Sequence, residues 1–424
     1  MSTATQLSNA QAWRYGVMGL PLAFVALPLY VLLPNHYARE FGVPLATLGA
    51  LLLATRLADA LIDPLLGRAS DWLYRRASSV LLAWAAAACV LMGAGFALLF
   101  FPPLRGGNGL LFLGAVLLML TYASFSAVTL SHQAWGALLG GDALNQSRLV
   151  AWREGLGLVG VLLASVVPVL WGLEAMVGLF WLALGLGWLA WRAGPRPADH
   201  ALTGTAAEAG KLWQPWQRAP FRRLLAVFML NGIASAVPAT LVLFFLQDRL
   251  QAPTRMEPLF LGSYFLSAAL SMPLWLAAVR RFGLARSWLG GMALAVVVFA
   301  WAAMLDTGDA WLFIAICIFS GAALGADLVM PGAMLAGLIT RAGDLGRTQG
   351  AYYGWWNFAT KLNLALAAGL ALPLLGLYGY APGAREPQAL QALTAAYCLL
   401  PCALKLAAGG LLYSFFIHRN KDSI

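Results

Sequence analysis

The chain has 424 residues, of which 61% are hydrophobic and only 10% are charged. Soluble globular proteins average about 45–50% apolar and about 25% charged residues, so this composition excludes an ordinary water-soluble protein. The formal charge of +10 would indicate an acidic partner in a soluble chain, but in a membrane chain the positions of the cations report topology instead. We therefore expect neither a soluble enzyme nor a nucleic-acid partner.

Twelve apolar segments are long enough to cross a bilayer, which takes about 20 residues per crossing. They predict an all-α polytopic membrane protein. All four cysteines fall inside apolar segments, so neither a disulfide framework nor a metal cluster is expected. The predicted crossings are 15–34, 43–67, 80–101, 109–138, 149–172, 174–192, 223–247, 257–279, 287–305, 310–339, 351–376 and 389–417.

The longest polar connection, 193–222, divides the crossings into two groups of six. We therefore expect an N-terminal six-helix bundle (1–192), a cytoplasmic linker (193–222) and a C-terminal six-helix bundle (223–424). The halves carry a weak repeat, since GRASDWLYRR (67–76) follows the second crossing and VRRFGLARS (279–287) follows the eighth. Two six-helix halves match the architecture of the major facilitator superfamily.

The Lys and Arg residues are distributed unequally between the two sides of the predicted membrane. Eighteen of the 27 lie at the termini or on even-numbered connections, five lie on odd-numbered connections and four lie within helices. Because cytoplasmic segments are enriched in Lys and Arg, we predict a bacterial inner-membrane protein with both termini in the cytoplasm. The polar start 1–14 is followed by no small-residue cleavage site, so we expect the first helix to be retained.

The second crossing carries Arg56, Asp59 and Asp63, whose spacing places all three along one helix face. Because a charge at the bilayer centre costs about 2.5–3.5 kcal/mol on insertion scales, such groups usually line an ion or substrate path. Two carboxylates one turn apart can bind a monovalent cation or share a proton, while Arg56 offsets part of their repulsion. The alternative is an internal salt bridge that only fixes helix packing.

Lys361 lies deep in the eleventh crossing, where its amine cannot readily reach the interface, so it requires an anionic partner. Asp59 and Asp63 are the expected partners if the two halves face each other across a central cavity. A lysine that pairs with them in the empty state, and is released by a cation or substrate, would couple loading to conformational change. A purely structural pair is the alternative.

Three further ionisable residues are weaker candidates for substrate binding. Asp327 lies between a glycine and a proline that could interrupt its helix, Arg153 could contact an anion or hydroxyl, and His132 could protonate or bond substrate. Each has a structural alternative, namely packing for Asp327, a salt bridge with Glu154 for Arg153, and local hydrogen bonding for His132. Lys405 is interpreted as a snorkelling or packing lysine.

Aromatic residues in the membrane could form a stacking surface in a cavity. We expect Trp135, and one of Trp355 and Trp356, to face such a cavity. The polar connections contain no HExxH motif, no paired Cys/His ligands and no nucleophile elbow, so we predict neither an enzyme nor a bound cofactor.

Three segments of the chain resemble one transporter family. The run RLADALIDPLLGRASD (56–71) resembles the helix 2 signature of the glycoside-pentoside-hexuronide:cation symporters, the melibiose-carrier branch of the major facilitator superfamily. Segments 134–160 and 328–362 resemble the same family in the same order, and the latter includes the helix 11 lysine of these carriers, Lys361.

The resemblance implies cation-coupled symport by alternating access. It implies that Asp59 and Asp63 are cation ligands, and that the substrate-side or coupling residues are Trp135, Arg153 and Lys361.

The stretch after the second crossing resembles the superfamily's cytoplasmic gating motif, with Gly67, Asp71, Arg75 and Arg76. Asp71 can accept hydrogen bonds from helix ends or arginines of the other half, and breaking that contact would open the inner gate. A topogenic cluster without a gating role is the alternative.

The sequence departs from the sugar carriers of this family at two places. The first helix (19–30) lacks the acidic residue that bonds the sugar, and Ser131 stands where those carriers have an acid before the tryptophan matching Trp135. The missing carboxylate weakens the case for sodium, so we expect coupling to a proton at least as much as to sodium, with a sodium site only at Asp59 and Asp63. The solute is a sugar, an organic anion or an amphipath.

We predict a monomeric, cation-coupled symporter of a small organic solute. A lysolipid or other amphipathic-solute transporter of the same fold and a proton-driven exporter are alternatives. A non-transporting membrane sensor is a remote alternative, because the buried acids and the helix 11 lysine are present.

Overall fold

The computed structural model describes residues 7–104, 106–197, 211–380 and 383–418. All regular secondary structure in these ranges is helical. The first helix is interrupted at 17–18 and contains a π-helical turn at Pro28–Leu32. The main helices are α1 (9–40), α2 (Leu45–Arg76), α3 (Ser78–Phe100), α4 (Gly107–Leu138), α5 (143–171), α6 (173–192), α7 (Ala219–Arg249), α8 (Glu257–Phe282), α9 (Leu284–Ala302), α10 (Ala310–Arg341), α11 (Gln349–Leu377) and α12 (Pro387–His418).

Each predicted crossing coincides with one of these helices. Nine helices in the described part of the chain are long and apolar enough to cross a membrane, counting Ala143–Arg192 as one. Helix α2 is not among the nine, and it carries three ionisable side chains in its central turns, at 56, 59 and 63. The chain is therefore a multi-pass membrane protein with the all-α fold predicted from its sequence.

Helices α5 and α6 follow each other without a loop. The junction is Gly172, whose φ of 83° lies in the left-handed region that only glycine adopts readily. This single residue ends one helix and starts the next, which agrees with the predicted crossings 149–172 and 174–192.

The chain forms two compact units. The first consists of Met1–Arg218 and Ala336–Phe358, and the second of Ala219–Leu335 and Ala359–Ile424. The end of α10 and the start of α11 thus belong to the first unit, although the sequence assigns them to the C-terminal bundle. Within the predicted linker, residues 198–210 lie outside the described residues.

The first unit is held together by close packing of α1 against α5. A side chain at Gly160 would collide with the Leu20 carbonyl, and one at Gly19 would collide with the Arg153 carbonyl. Small residues at these positions let the two backbones approach, as is common where membrane helices pack tightly. The aromatic core beside them includes Phe180, whose ring centroid lies 4.5 Å from that of Phe96.

The core of the second unit is built on α7, α10 and α12. The ring of Phe245 stacks on Tyr397 with centroids 4.2 Å apart, and both lie near Phe313. All three side chains are buried, so the middle of this unit is aromatic and apolar.

We expect Gly160→Ala to destabilise the protein, because the added methyl group would force α1 and α5 apart, and overpacking typically costs about 1–3 kcal/mol. Gly178→Ala in α6 is the matched control, since a side chain at Gly178 would meet open space. Thermal unfolding in detergent should show a lower midpoint for Gly160→Ala and an unchanged or higher one for Gly178→Ala. Equal midpoints would contradict the close contact.

Candidate functional site

The ionisable face of α2 is buried in the first unit. The side chains of Asp59 and Asp63 are 1% and 0% exposed, respectively. Pro64 follows directly, yet α2 continues through it as a single helix to Arg76. The spacing that predicted one shared face thus places two carboxylates inside the bundle.

Two neighbouring helices supply partners to this face. The Ser126 hydroxyl on α4 donates a hydrogen bond of 3.0 Å to Asp59 Oδ1. The guanidinium of Arg56 lies 3.4 Å from the ring centroid of Tyr30 and 5.1 Å from that of Tyr122, and it interacts electrostatically with both carboxylates. Cation–π contacts of this kind stabilise a positive charge where water is scarce. Asp59, Asp63 and Ser126 together provide oxygen ligands of the kind that hard cations prefer.

Further along α2, Asp71 contacts the beginning of α11. Its two carboxylate oxygens accept hydrogen bonds from the backbone N–H groups of Gly350, at 2.6 Å, and Ala351, at 3.0 Å. These N–H groups belong to the first turn of α11 and have no partner within their own helix, and the helix dipole adds to the attraction for a carboxylate. The arrangement caps α11 with a side chain from α2.

The backbones of α2 and α11 also approach closely. A side chain at Gly67 would collide with the Gly350 carbonyl, and one at Gly354 would lie 2.8 Å from the Asp63 carbonyl. Of the two arginines in the predicted gating stretch, Arg76 lies over the ring of Trp72 at 3.7 Å. Arg75 attracts the buried Asp71 carboxylate through its charge.

His132 and Trp135 lie in an aromatic cluster at the end of α4. The His132 ring stacks on Tyr15 at 4.1 Å, and its Nε2 lies 2.9 Å from the Tyr15 carbonyl oxygen. The indole N–H of Trp135 donates to the Pro195 carbonyl, and its ring meets Trp191 edge-on. Both side chains are fully packed, so the structure gives them a role in joining α1, α4 and α6.

Arg153 on α5 pairs with its neighbour Glu154. Two of its nitrogens lie 2.9 and 2.6 Å from the Glu154 Oε1 atom. The pair is partly buried, and the charge of Arg153 also acts on Tyr15 and Tyr353. This is the salt bridge that the sequence offers as the structural alternative to an anion contact.

The two tryptophans of α11 differ in exposure. Trp356 is 6% exposed. Trp355 donates its indole N–H to the Leu212 carbonyl and packs against Trp213 and Trp216 of the linker. Trp355 therefore anchors the residues that precede α7 rather than standing open to a cavity.

A polar cluster beside these tryptophans was not predicted from the sequence. Its centre is Asp344, which accepts hydrogen bonds from Arg218 (2.9 and 3.0 Å), Gln214 (2.8 Å) and Tyr352 (2.6 Å). The carboxylate, through its hydrogen bonds and its charge, raises the pKa of Arg218. The sequence signal for this cluster is weak, because Arg218 and Asp344 are separated by 126 positions.

The second unit contains a buried ion pair between Asp327 on α10 and Lys405 on α12. Lys405 Nζ lies 2.8 Å from Asp327 Oδ2, and their side chains are only 4% and 11% exposed. Of the two interpretations of Lys405, snorkelling is excluded and packing is supported, because its amine is held in the core by hydrogen bonds to Asn231, Ser235 and Asp327. The expected break in α10 near Asp327 was also wrong, since Ala310–Arg341 is one helix that includes Pro331.

An acid within a membrane segment requires a compensating group, whatever its position in the sequence. No partner for Asp327 was predicted from the sequence. The structure pairs it with Lys405. Lys361 is half-buried on the part of α11 that belongs to the second unit.

Apolar crossings with buried ionisable groups on several helices define a multi-pass membrane transporter of the major facilitator fold. The chain belongs to the MFS/sugar transport protein family, whose model matches residues 14–419. The family predicted from the motif at 56–71 is thereby confirmed, and the chain is not an enzyme.

Two sequence relatives and one solved structure agree with this family assignment. The uncharacterized symporter YjmB of Bacillus subtilis (strain 168) is 22% identical over 445 residues, covering 96% of this chain and 92% of the relative. YagG of Escherichia coli (strain K12), named as a candidate glycoside/cation symporter, is 27% identical over 163 residues, covering 38% and 35%. Among solved structures, a bacterial homologue of the iron transporter ferroportin, outward-facing with soaked iron, shares the fold with a TM-score of 0.71, 15% identity and coverage of 97% and 100%.

The Asp327–Lys405 pair gives a direct prediction for stability. We expect Lys405→Met to cost about 3–5 kcal/mol because it leaves a buried carboxylate uncompensated, whereas the double variant Asp327→Leu/Lys405→Met should recover most of that loss. The measurement is unfolding of the purified variants in detergent.

Asp306→Asn is the control, because Asp306 is exposed in its ion pair with Arg249 and such pairs contribute about 0–1 kcal/mol. A double variant as unstable as Lys405→Met would contradict the assignment of the loss to an unpaired charge.

Proposed function

We propose that this transporter is a symporter that couples the movement of a small organic solute to a proton or sodium ion bound at Asp59 and Asp63. The observation that carries the proposal is the burial of two carboxylates on one face of α2, with Ser126 bonded to one of them. Two buried acids that serve only packing would be a costly arrangement in an apolar bundle. The names of the relatives as symporters support the same conclusion.

The charges of this face suit the reversible binding of a cation. Arg56 supplies one positive charge to two carboxylates, and its contacts with the rings of Tyr30 and Tyr122 stabilise it in place. A monovalent cation or a proton that binds to one of these carboxylates changes the charge of the face, and such binding is reversible. A proton would bind to a carboxylate, whereas sodium would need further oxygen ligands such as Ser126.

The neighbouring hydroxyls of α4 bear on the choice of ion. Ser131 occupies the position at which the sugar carriers resembled by this sequence have an acid, and it is wholly buried. A hydroxyl can complete a sodium shell but cannot add charge to it. Ser126, whose hydroxyl bonds Asp59, is therefore the position at which substitution separates sodium coupling from proton coupling.

We further propose that Asp71 acts in the gate on the cytoplasmic side, with both termini in the cytoplasm of the cell. Its carboxylate holds the first turn of α11, and Gly67 and Gly350 permit the close approach. Releasing two charge-assisted hydrogen bonds at once gives a contact that is either made or broken, as a gate requires. Arg75 and Arg76 contribute positive charge to the same end of α2.

We include Lys361 as the positively charged coupling residue implied by the resemblance. The residues proposed to contact the substrate are Arg153, Trp135, His132, Asp327, Trp355 and Trp356. Within this set, Arg153 is the strongest, because its side chain is only partly buried and combines charge with several donors. The packed positions of His132 and Trp135 give them a supporting role around Tyr15 and Trp191.

Asp59→Asn and Asp63→Asn should each abolish concentrative uptake while the protein still inserts and folds, because asparagine keeps the shape of the side chain and removes its charge. The first step is a thermal-shift screen of the wild type against sodium, lithium, pH, sugars, glycosides, organic anions and lysolipids. Uptake of the compound that stabilises the protein is then measured in proteoliposomes with imposed sodium or proton gradients.

Asp306→Asn serves as the matched control and should transport normally, since Asp306 is exposed. Lys361→Ala should uncouple or stop uptake. Accumulation at the wild-type level by either α2 variant would show that the coupling cation binds elsewhere. Sodium stabilisation that is lost in Asp63→Asn and weakened in Ser126→Ala would identify sodium, whereas a shifted pH profile without a sodium effect would identify the proton.

Asp71→Ala should expose the first turn of α11, because the N–H groups of Gly350 and Ala351 lose their acceptors. We expect hydrogen exchange of a peptide spanning 345–352 to accelerate by about tenfold or more, since each hydrogen bond to a charged group is worth about 1.5–3 kcal/mol. Asp142→Ala is the control, because Asp142 caps only its own helix through Asn145. Unchanged exchange in Asp71→Ala would argue against the proposed gate.

A further inference from the structure

The second unit contains a cavity of about 220 Å³ between α7, α8, α9, α10 and α12. An engineered apolar cavity of about 150 Å³ holds benzene, and pockets for drug-sized ligands run to about 300–1,000 Å³. The volume therefore suits a molecule of one ring with a short chain. Most of the wall is aromatic or aliphatic, and its rings are Phe260, Tyr264, Phe265, Phe299, Phe313 and Tyr397.

The wall also carries polar side chains, among them Ser235, Ser320, Asp327 and Lys405. Lys405 Nζ donates to Asn231 Oδ1 at 2.9 Å, to Ser235 Oγ at 3.1 Å and to Asp327 Oδ2 at 2.8 Å. An ammonium group has three donors, and all three are used. The lysine therefore has no donor left for an anionic ligand, and its charge is already balanced by Asp327.

The aspartate, in contrast, retains acceptor capacity. Its Oδ2 accepts from Lys405 and from Ser235, whereas its Oδ1 accepts only from the indole N–H of Trp288, at 2.9 Å. Each carboxylate oxygen can accept about two hydrogen bonds, so Oδ1 has one acceptor site left in the described part of the chain. This wall favours a neutral ligand that donates one hydrogen bond.

We propose that this cavity binds a neutral, largely apolar molecule with one hydroxyl group, of the size of a small alkylphenol. Its hydroxyl donates to Asp327, and its apolar body lies among the aromatic rings of α8, α9, α10 and α12. The site is distinct from the cation site, because all of its residues belong to the second unit whereas Asp59 and Asp63 belong to the first. The proposal therefore does not depend on how the solute is coupled.

Binding of three matched probes to the purified full-length protein in detergent tests the site by titration calorimetry. 4-Propylphenol should bind saturably with one site per chain. Propylbenzene, which lacks the hydroxyl, should bind about fivefold more weakly, since a hydrogen bond contributes a net of about 1 kcal/mol. 4-Propylbenzoate should not bind, because its carboxylate would face the negative charge of Asp327 while all three donors of Lys405 are already used.

Two neighbouring residues of α7 provide a matched pair of variants. Val242 lines the cavity, whereas Leu243 is 44% exposed and is not part of the wall. Val242→Phe should fill the cavity and weaken 4-propylphenol binding at least tenfold, while Leu243→Phe should bind as the wild type does. Equal binding by both variants would show that the probe only partitions into the detergent or the protein surface, and would overturn the proposal.

The double variant Asp327→Leu/Lys405→Met tests the polar wall separately. It removes the acceptor while keeping the cavity apolar, so 4-propylphenol and propylbenzene should bind to it equally. A persistent preference for the phenol in this variant, or the absence of saturable phenol binding to the wild type, would overturn the assignment of Asp327 as the acceptor.

Discussion

The structure depends on one constraint, which is that a charge inside an apolar helical bundle must have a partner in the same bundle. An ion without compensation costs several kcal/mol even after the surroundings relax. Each compact unit of this protein meets the constraint in its own way. In the first unit, Asp59 accepts a hydrogen bond from Ser126 and interacts with Arg56, whose guanidinium lies against the ring of Tyr30. In the second unit, Asp327 pairs with Lys405, and Asn231, Ser235 and Trp288 complete the hydrogen bonds of the pair.

The two solutions differ in a way that bears on function. The Asp327–Lys405 cluster is neutral overall, so nothing has to enter or leave for it to be stable in one conformation. At the α2 face, binding of the proposed proton or cation to Asp59 or Asp63 would change the local charge. A site whose stability changes with occupancy can bias a conformational equilibrium, whereas a neutral pair cannot do so by charge alone.

Much of the fold followed from the sequence, because the hydropathy of each crossing is a local property of about 20 residues. The break at Gly172 was also placed correctly, since it falls between two segments that are each long enough to span. The assignment of 336–358 to the first unit was not predictable, because it depends on backbone contacts such as that between Gly67 and Gly350. Glycine–glycine contacts leave no signal in composition or periodicity.

The candidate site was predictable to the extent that it lies on one helix. The i, i+3, i+7 spacing of α2 placed Arg56, Asp59 and Asp63 together, but nothing in that helix indicated that Ser126 would be their neighbour. The partner of Asp327 was not predicted, because pairing across 78 positions depends on how helices pack. The packing of His132 on Tyr15 and of Trp135 against Trp191 joins residues far apart in the chain, so it could not be predicted from helix spacing.

The contact of Asp71 with α11 has a consequence for how this protein tolerates sequence change. Both groups that bind the carboxylate are main-chain amides, and every amino acid except proline supplies the same amide. Substitution at Ala351 or Gly350 therefore leaves the donor group itself unchanged, and it affects the contact through the size of the new side chain, because both positions are closely packed. Because both donors belong to the backbone, the strength of this interaction changes during evolution chiefly through substitution of the residue at position 71.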